Sequence, residues 1–333
     1  MLALRVSSFF FVQAKMSFCK LKNIIEENDI VIIYLSPKQI YPVKIIKNEV
    51  FQTRFGALRL DQLIGKPYGH RIECSKGFVH ILDMTPDLWT MTLPHRTQIL
   101  YATDISMILM QLQLRSGSKV IEAGTGSGSL SHSIARTISP KGKLITYDFH
   151  EERVLAAREE FKNHGLDHIV VTKHRDVCQN GFDVEDQVDA VFLDLPHPWK
   201  AIDFAKKIIR NNGRICCFSP CIEQVQRSCQ KLAELKFLDI ETIECLLRPY
   251  EVKNQSLKKI ILSDSESNDE AEDFEENDET GLKNKKIKQM NGIQLRNNNF
   301  SNEIEYLTTF MNPEINGHTG FLTFATNLII QRD

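Results

Sequence analysis

Between Val120 and Leu130 the chain reads Val120-Ile-Glu-Ala-Gly124-Thr-Gly126-Ser-Gly128-Ser-Leu130, with a glycine at every second position where an apolar run gives way to a helix-forming stretch. Glycines at such a junction let the main chain turn sharply and lie close to a ligand with no Cβ in the way. The spacing differs from the Gly-x-Gly-x-x-Gly of dinucleotide-binding folds. Glu122 ends the strand just before the loop. A carboxylate there would repel a dinucleotide pyrophosphate, but it suits a cofactor with a cationic sulfonium and an amino acid tail. The loop therefore predicts a site for S-adenosylmethionine built from Glu122, Gly124, Thr125, Gly126, Ser127, Gly128 and Ser129. A nicotinamide-dependent dehydrogenase is the rival it disfavours.

From Arg96 onward apolar runs alternate with amphipathic segments, the pattern of a parallel α/β sheet. Helices are expected over 97–112, 129–138, 151–163, 201–209 and 223–235, with Gly165 ending the third. Strands are expected over 119–122, 144–147, 169–172, 188–193, 214–218, 239–246 and 321–330. Upstream, residues 16–93 read as a small all-β module, with short β-like runs at 30–35, 43–46 and 78–82 broken by prolines and glycines. The expected organisation is an extension over 1–15, the β module over 16–93 and the α/β domain over 94–333. Residues 263–302 are poor in apolar side chains and highly charged, and are expected to form a disordered insertion. No fixed-period repeat is present, which sets aside solenoids and propellers.

Three further carboxylates fall at strand ends, where a doubly wound sheet opens its ligand crevice. Asp148 follows the strand after the glycine loop, and its two oxygens can hold two ribose hydroxyls or cap the following helix. Asp176 follows the next strand and can accept from an adenine amino group, or belong to a surface loop. Arg153 serves equally as a cofactor contact or as a salt-bridging helix residue. Asp194, in Asp194-Leu-Pro196-His-Pro198-Trp199, should face the methyl donor; Trp199 reads first as a core anchor.

Six motifs in order, Leu93-Pro-His-Arg-Thr-Gln-Ile-Leu-Tyr101, Glu122 to Leu130, Phe149-His150, Phe192-Leu-Asp194-Leu-Pro196, Phe218-Ser-Pro-Cys-Ile-Glu-Gln-Val225 and Gly317-His-Thr-Gly320, resemble the eukaryotic tRNA (adenine-N1)-methyltransferase catalytic subunit. The resemblance runs from about Met16 to Thr326, omitting the acidic insertion. It implies a class I Rossmann-like methyltransferase domain behind a barrel-like β domain. It also implies a target, the T-loop adenosine at tRNA position 58, and a heterotetramer of two catalytic chains with two related non-catalytic tRNA-binding chains. Carried over by position, Leu100, Ser127 to Ser129, Asp148, Arg153, Asp176 and Val177 would contact the cofactor, and Asp194 would be the catalytic carboxylate. Gln98, Tyr101, Leu195, Pro196, Ser219, Pro220 and Thr319 would lie near the RNA. Asp148 stands where relatives often carry Glu, and His197 replaces a small residue beside the active loop. A methyltransferase for protein or small molecules and a non-catalytic RNA-binding subunit are the rivals; the intact Gly124, Gly126, Gly128 and Asp194 speak against the latter.

Charge supports a polyanionic partner. The chain's net charge is −2, yet ten carboxylates and no Lys or Arg lie between Ser263 and Thr280, so the remainder carries +8. A basic body fits RNA through phosphate contacts and counterion release. The eight cysteines show no paired Cys-x-x-Cys spacing and the histidines complete no ligand set, so the expectation is reduced thiols and no metal. No run approaches the roughly 18 apolar residues of a membrane span. Lys283, Lys285, Lys286 and Lys288 suggest a nuclear address, and Ser263 and Ser267, each with Glu three residues on, suit acid-directed kinases. The acid-free segment Met1 to Lys15 weakly imitates a transit peptide, although Met16 opens a clean polar start.

Overall fold

The computed structural model describes residues 18, 22–93, 99–258, 289–290, 293–294, 303–311 and 317–328. The expectations for residues 1–15, Gln98, Ser263, Ser267 and the lysines at 283–288 fall outside these residues. Residues up to Leu246 and from Gly317 onward form one compact unit, and Leu247–Asn316 form a second.

The first unit opens with β1 (Ile30–Ser36), β2 (Gln39–Lys44), β3 (Val50–Thr53), β4 (Gly56–Arg59), β5 (Arg71–Cys74) and β6 (Gly77–Asp83). Four of these make an antiparallel sheet in the order β2-β1-β6-β5, while β3 and β4 pair separately. Strand β1 shows why its sequence is apolar without interruption. Val31 and Ile33 point into a core with Ile45, Leu58, Val79 and Ile81. Ile32 points to the other face and joins Met84, Trp89 and residues of the following domain. A strand buried on both faces loses the polar half of its alternation. The chain then forms α1 (Pro86–Thr92), absent from the sequence-based expectation, where the Thr85 hydroxyl caps the Leu88 amide at 3.3 Å and Pro86 occupies the first turn.

The remaining elements are α2 (Ala102–Gln111), β7 (Lys119–Ala123), α3 (Ser129–Ile138), β8 (Lys143–Asp148), α4 (Glu151–Asn163), β9 (Val170–His174), α5 (Val177–Asn180), β10 (Val188–Asp194), α6 (Ile202–Ile208), β11 (Ile209–Ser219), α7 (Ile222–Glu234), β12 (Leu238–Glu244), β13 (Tyr250–Lys258), β14 (Gln289–Met290), β15 (Ile293–Gln294), β16 (Glu303–Met311) and β17 (Phe321–Asn327). The helix expected from Thr97 starts only at Ala102: Ile99 and Leu100 are buried outside any helix, and Tyr101 is extended at its cap. Gly165 does follow the end of α4, with a φ of 68° and its amide donating to the Lys162 carbonyl at 3.1 Å.

A seven-stranded sheet runs β12-β17-β11-β10-β7-β8-β9. Its order reverses between β7 and β10, the switch point at which open α/β sheets bind ligands beyond their carboxyl ends. The sheet is not wholly parallel, contrary to expectation: β17 runs antiparallel to both β11 and β12. No described helix separates β12 from β17 to supply the crossover a parallel neighbour needs. In the second unit β13 and β16 form a nine-pair antiparallel ribbon from Tyr250↔Met311 to Lys258↔Glu303. Neither strand was expected from the sequence, and β14 and β15 pair inside the span expected to be disordered.

Phe324 sits fully buried in β17 between β11 and β12. Phe324→Ala is expected to cost about 3–5 kcal/mol, read from the urea midpoint of the full chain. A loss below about 1 kcal/mol would contradict its place in the sheet interior.

Candidate functional site

The glycine loop is shaped by what lies under it. Gly124 has a φ of 99°, and a Cβ on it would overlap the carbonyl oxygen of Asp194 across the switch point. Its amide donates to the Tyr147 carbonyl at 2.8 Å, so the loop leaves β7 tied to β8 as well as pressed against β10. Gly126 donates its amide to Asp148 Oδ2 at 3.1 Å, and Gly128, at a φ of 78°, caps α3. Thr125 is buried with its hydroxyl 2.7 Å from that of Thr146, and Ser127 is buried beside it. The Ser129 hydroxyl donates to the Leu100 carbonyl at 2.9 Å and lies 2.8 Å from Thr90 Oγ1. Helix α1 thereby helps hold the loop, a role no sequence signal indicated.

Three carboxylates converge on this loop. Glu122 is fully buried, accepts from Ser131 Oγ at 2.5 Å and from the Thr146 hydroxyl, and is pushed up to about 7 by burial, with the charges of Asp194 and Asp148 adding to the shift. Asp194, half-buried at the end of β10, is pushed up to about 6 by desolvation and then by Asp148. Asp148 accepts from the amides of Gly126 and His150 at 3.1 and 2.9 Å. Each of its oxygens keeps a second lone pair for a ligand hydroxyl. The helix-cap alternative for Asp148 does not hold: the cap position of α4 is His150.

A cavity of about 460 Å³ opens beside these groups. Gly124, Asp148, Arg153, Asp176, Val177, Asp194, Leu195 and Pro196 all line it, together with His197, Lys200 and the exposed ring of Phe149. A smaller cavity continues under the loop, lined by Leu100, Glu122, Thr125, Gly126, Ser127, Gly128 and Ser129, and it shares Gly124 and Asp194 with the first. The Asp176 carboxylate accepts from the Cys178 amide at 2.9 Å at the start of α5, and Arg153 lies 4.0 Å from Asp148, while both residues line the cavity. The volume lies in the range of small-molecule sites. Glu122, Asp148 and Asp194 gathered at the glycine-loop end of the cavity suit a positively charged ligand there, while Arg153, Arg175 and Lys200 line its outer wall, and the Cβ-free approach at Gly124 leaves space for it.

Residues assigned to the RNA are more scattered. Tyr101 is exposed at the start of α2, Pro220 is exposed after β11, and Thr319 is half-buried with its hydroxyl 3.5 Å from Asp104. Ser219, the last residue of β11, is instead fully buried. Trp199 is partly buried and packs against the apolar cluster around α6, with the Arg227 guanidinium 5.1 Å from its ring centroid.

The structure also assembles a set the sequence reading missed. Among the described residues, His132, Glu160 and His164 place ligand-type atoms within 4.8 Å of one another. His132 Nδ1 donates to the Gly128 carbonyl at 2.6 Å, which leaves its Nε2 to accept from His164 Nδ1 at 2.8 Å. Burial and then the neighbouring His132 ring push His164 down to about 3, so the His164 ring is neutral. In this arrangement the pair braces the glycine loop from below, packed among Phe18, Trp89 and Phe161. The signal available in sequence was the Glu160–His164 spacing along α4.

Comparison with known proteins places this geometry. Residues 77–327 match the family model described as tRNA methyltransferase complex GCD14 subunit. The chain is 42% identical over 312 residues to the tRNA (adenine(58)-N(1))-methyltransferase catalytic subunit of Dictyostelium discoideum, covering 92% of this chain and 97% of that protein. It is 45% identical over 252 residues to the subunit of the same name from Candida albicans, covering 74% and 75%. Among solved structures it resembles a SAM-dependent O-methyltransferase from Thermotoga maritima, with a TM-score of 0.71 at 26% identity over 96% of this chain and all of that one. The tRNA (m1A58) methyltransferase TrmI from Aquifex aeolicus shares the fold, with a TM-score of 0.64 at 20% identity over 92% and 100%. With the cofactor crevice in place at the switch point of a class I Rossmann-like methyltransferase domain, the chain belongs to the family of tRNA (adenine(58)-N(1))-methyltransferase catalytic subunits.

Proposed function

We propose that this chain transfers a methyl group from S-adenosylmethionine to N1 of adenosine 58 in the tRNA T-loop, as the relatives' name describes. The observation that carries the reading is Asp194, a half-buried carboxylate that lines both the larger cavity and the space under the glycine loop. When bound, S-adenosylmethionine supplies an electrophilic methyl on a sulfonium. Asp148 is suited to its ribose, Asp176 and Val177 to its adenine, and Glu122 with the 124–129 loop to its amino acid end. Neutral adenine carries a lone pair and no proton at N1, so orientation matters more than a strong base. The methylated base is a cation. Asp194 accepts from the exocyclic amine and stabilises positive charge as it develops on the ring. N1 lies on the pairing edge, so the base leaves its stack to reach the site. Phe149 offers an exposed aromatic face at the cavity.

A tRNA-binding non-catalytic partner in a two-plus-two assembly belongs to the same proposal. Supporting it, the β13–β16 ribbon of the second unit exposes Tyr250, Val252, Leu257, Leu307 and Met311. Apolar surface of this kind is typical of protein contacts. We also propose a nuclear location, which rests on the lysines at 283–288.

Primer extension on tRNA incubated with cofactor, with and without the partner, tests the assignment, since an N1 methyl blocks pairing. The expected stop is at adenosine 58; a stop elsewhere, or none with the partner present, contradicts it. Asp194→Ala should bind cofactor normally and lose about 10²- to 10³-fold in single-turnover rate. Its carboxylate forms as pH rises through about 6, so the wild-type rate should climb on that limb.

Glu122 makes cofactor binding proton-linked. Its raised folded value means that the stability it contributes is fully present below its ordinary value of 4.5 and is lost as pH rises through about 7. A cation in the adjacent space favours the ionised form and expels the proton, so affinity should rise with pH up to about 7. Calorimetry at about pH 6 in buffers of different ionisation heat should show proton release, reduced in Glu122→Gln. Equal release in both proteins would remove Glu122 from the cofactor site.

A further inference from the structure

The Gly317-His318-Thr319-Gly320 motif enters the substrate reading only through Thr319, yet His318 is the better connected residue. Its Nδ1 lies 2.5 Å from Glu244 Oε1 at the end of β12. Its Nε2 lies 3.1 Å from the carbonyl oxygen of Pro220, in the loop between β11 and α7. The ring packs on Phe321 with centroids 4.5 Å apart. A carboxylate and a proline carbonyl only accept hydrogen bonds, so making both bonds at once requires a proton on each ring nitrogen. The two-sided contact is therefore one that the imidazolium makes and the neutral ring cannot.

The surroundings agree. The charged groups that face the ring are Glu244 from β12 and Asp104 from α2, both acidic, while the β11–α7 loop presents a carbonyl and Phe321 an uncharged face. Hydrogen bonding to Glu244 raises the His318 pKa, with the Pro220 carbonyl and then the charges of Glu244 and Asp104 adding to it.

What the contact holds is the second wall of the site. Gln224, in the first turn of α7, donates through Nε2 to the Pro196 carbonyl at 3.0 Å and accepts from the Cys221 amide through Oε1 at 3.2 Å. Glu244, His318, Pro220, Gln224 and Pro196 thus form a connected path that ends two residues from Asp194. We propose that His318 is a positioning residue that, as the imidazolium, latches the β11–α7 loop and through it the Asp194–Pro196 turn in the arrangement that receives the RNA. Among the described residues its contacts are Glu244, Pro220 and Phe321, outside the glycine loop, so it acts on the RNA side of the site and leaves the cofactor side alone. The inference rests on the proposed tRNA methyl transfer.

The sign is fixed by the raised pKa. The latch is complete below the ordinary histidine value of 6.5 and is lost as pH rises through the folded value, so its limb of the pH profile falls on the alkaline side, opposite to that of Asp194. Imidazole nitrogen NMR of the ¹⁵N-histidine-labelled full chain, assigned by difference with His318→Gln, should find His318 more than half doubly protonated at a pH equal to its ordinary value of 6.5 and one proton lost on raising the pH. A ring that is half protonated or less at that pH overturns the proposal whatever the activity. With the partner present, His318→Gln should lower kcat/KM for tRNA about tenfold, the scale of one charge-assisted hydrogen bond, with cofactor affinity within about twofold of wild type. His318→Arg keeps a charged donor at all pH values and should hold its rate where the wild type declines. An unchanged kcat/KM in His318→Gln, or an equal fall in cofactor affinity, also overturns it. Absence of adenosine 58 stops with the wild type would instead count against the proposed function, and the NMR result would still decide the state of His318.

Discussion

The contact between Gly124 and the Asp194 carbonyl is where the two halves of the domain meet. Strands β7 and β10 are neighbours, but the chain leaving them goes to opposite sides of the sheet, and only a residue without a Cβ allows the two exits to lie this close. That approach puts the glycine loop and the Asp194 turn on one crevice, so the groups suited to holding a methyl donor and the group suited to the methyl acceptor share a wall. A side chain at position 124 would separate them, and the positive φ would penalise it as well.

The closeness has an electrostatic consequence. Glu122, Asp148 and Asp194 are drawn into one poorly hydrated region, where burial raises Glu122 and Asp194 towards neutrality. Burial of like charges is unfavourable unless a counter-charge arrives. The fold accepts that cost in the free protein, with Ser131 and Thr146 offsetting part of it for Glu122 and backbone amides doing the same for Asp148. A site held in this state favours a cation over a neutral or anionic ligand, the same preference that the acidic residue before the glycine loop implied at the outset.

Support for the loops comes from elements distant in sequence. Thr90 of α1 reaches Ser129, the His132–His164 pair lies beneath Gly128, and His318 reaches from the approach to β17 across to the β11–α7 loop. The antiparallel β17 makes the last of these possible. Because it returns antiparallel between β11 and β12, it carries the Gly317–Gly320 segment to the carboxyl ends of those two strands, beside the site.

Much of this was legible in the chain itself. The glycine spacing, the acidic residue before it and the carboxylates at 148, 176 and 194 are local signals, and local signals survive because strand ends and tight turns impose their residue types directly. The αβ alternation located most of the central sheet for the same reason. What the sequence did not reveal depends on partners far apart along the chain. The direction of β17, the pairing of β13 with β16, the burial of Ser219 and the short, capped α1 follow from packing that overrides a weak local pattern. The raised carboxyls and the double-donor geometry of His318 are likewise tertiary, since a side chain's charge state is set by what surrounds it in space. Sequence alone determined which chemical groups line the crevice; only the fold decided which of them share a dielectric environment, a hydrogen bond or a proton.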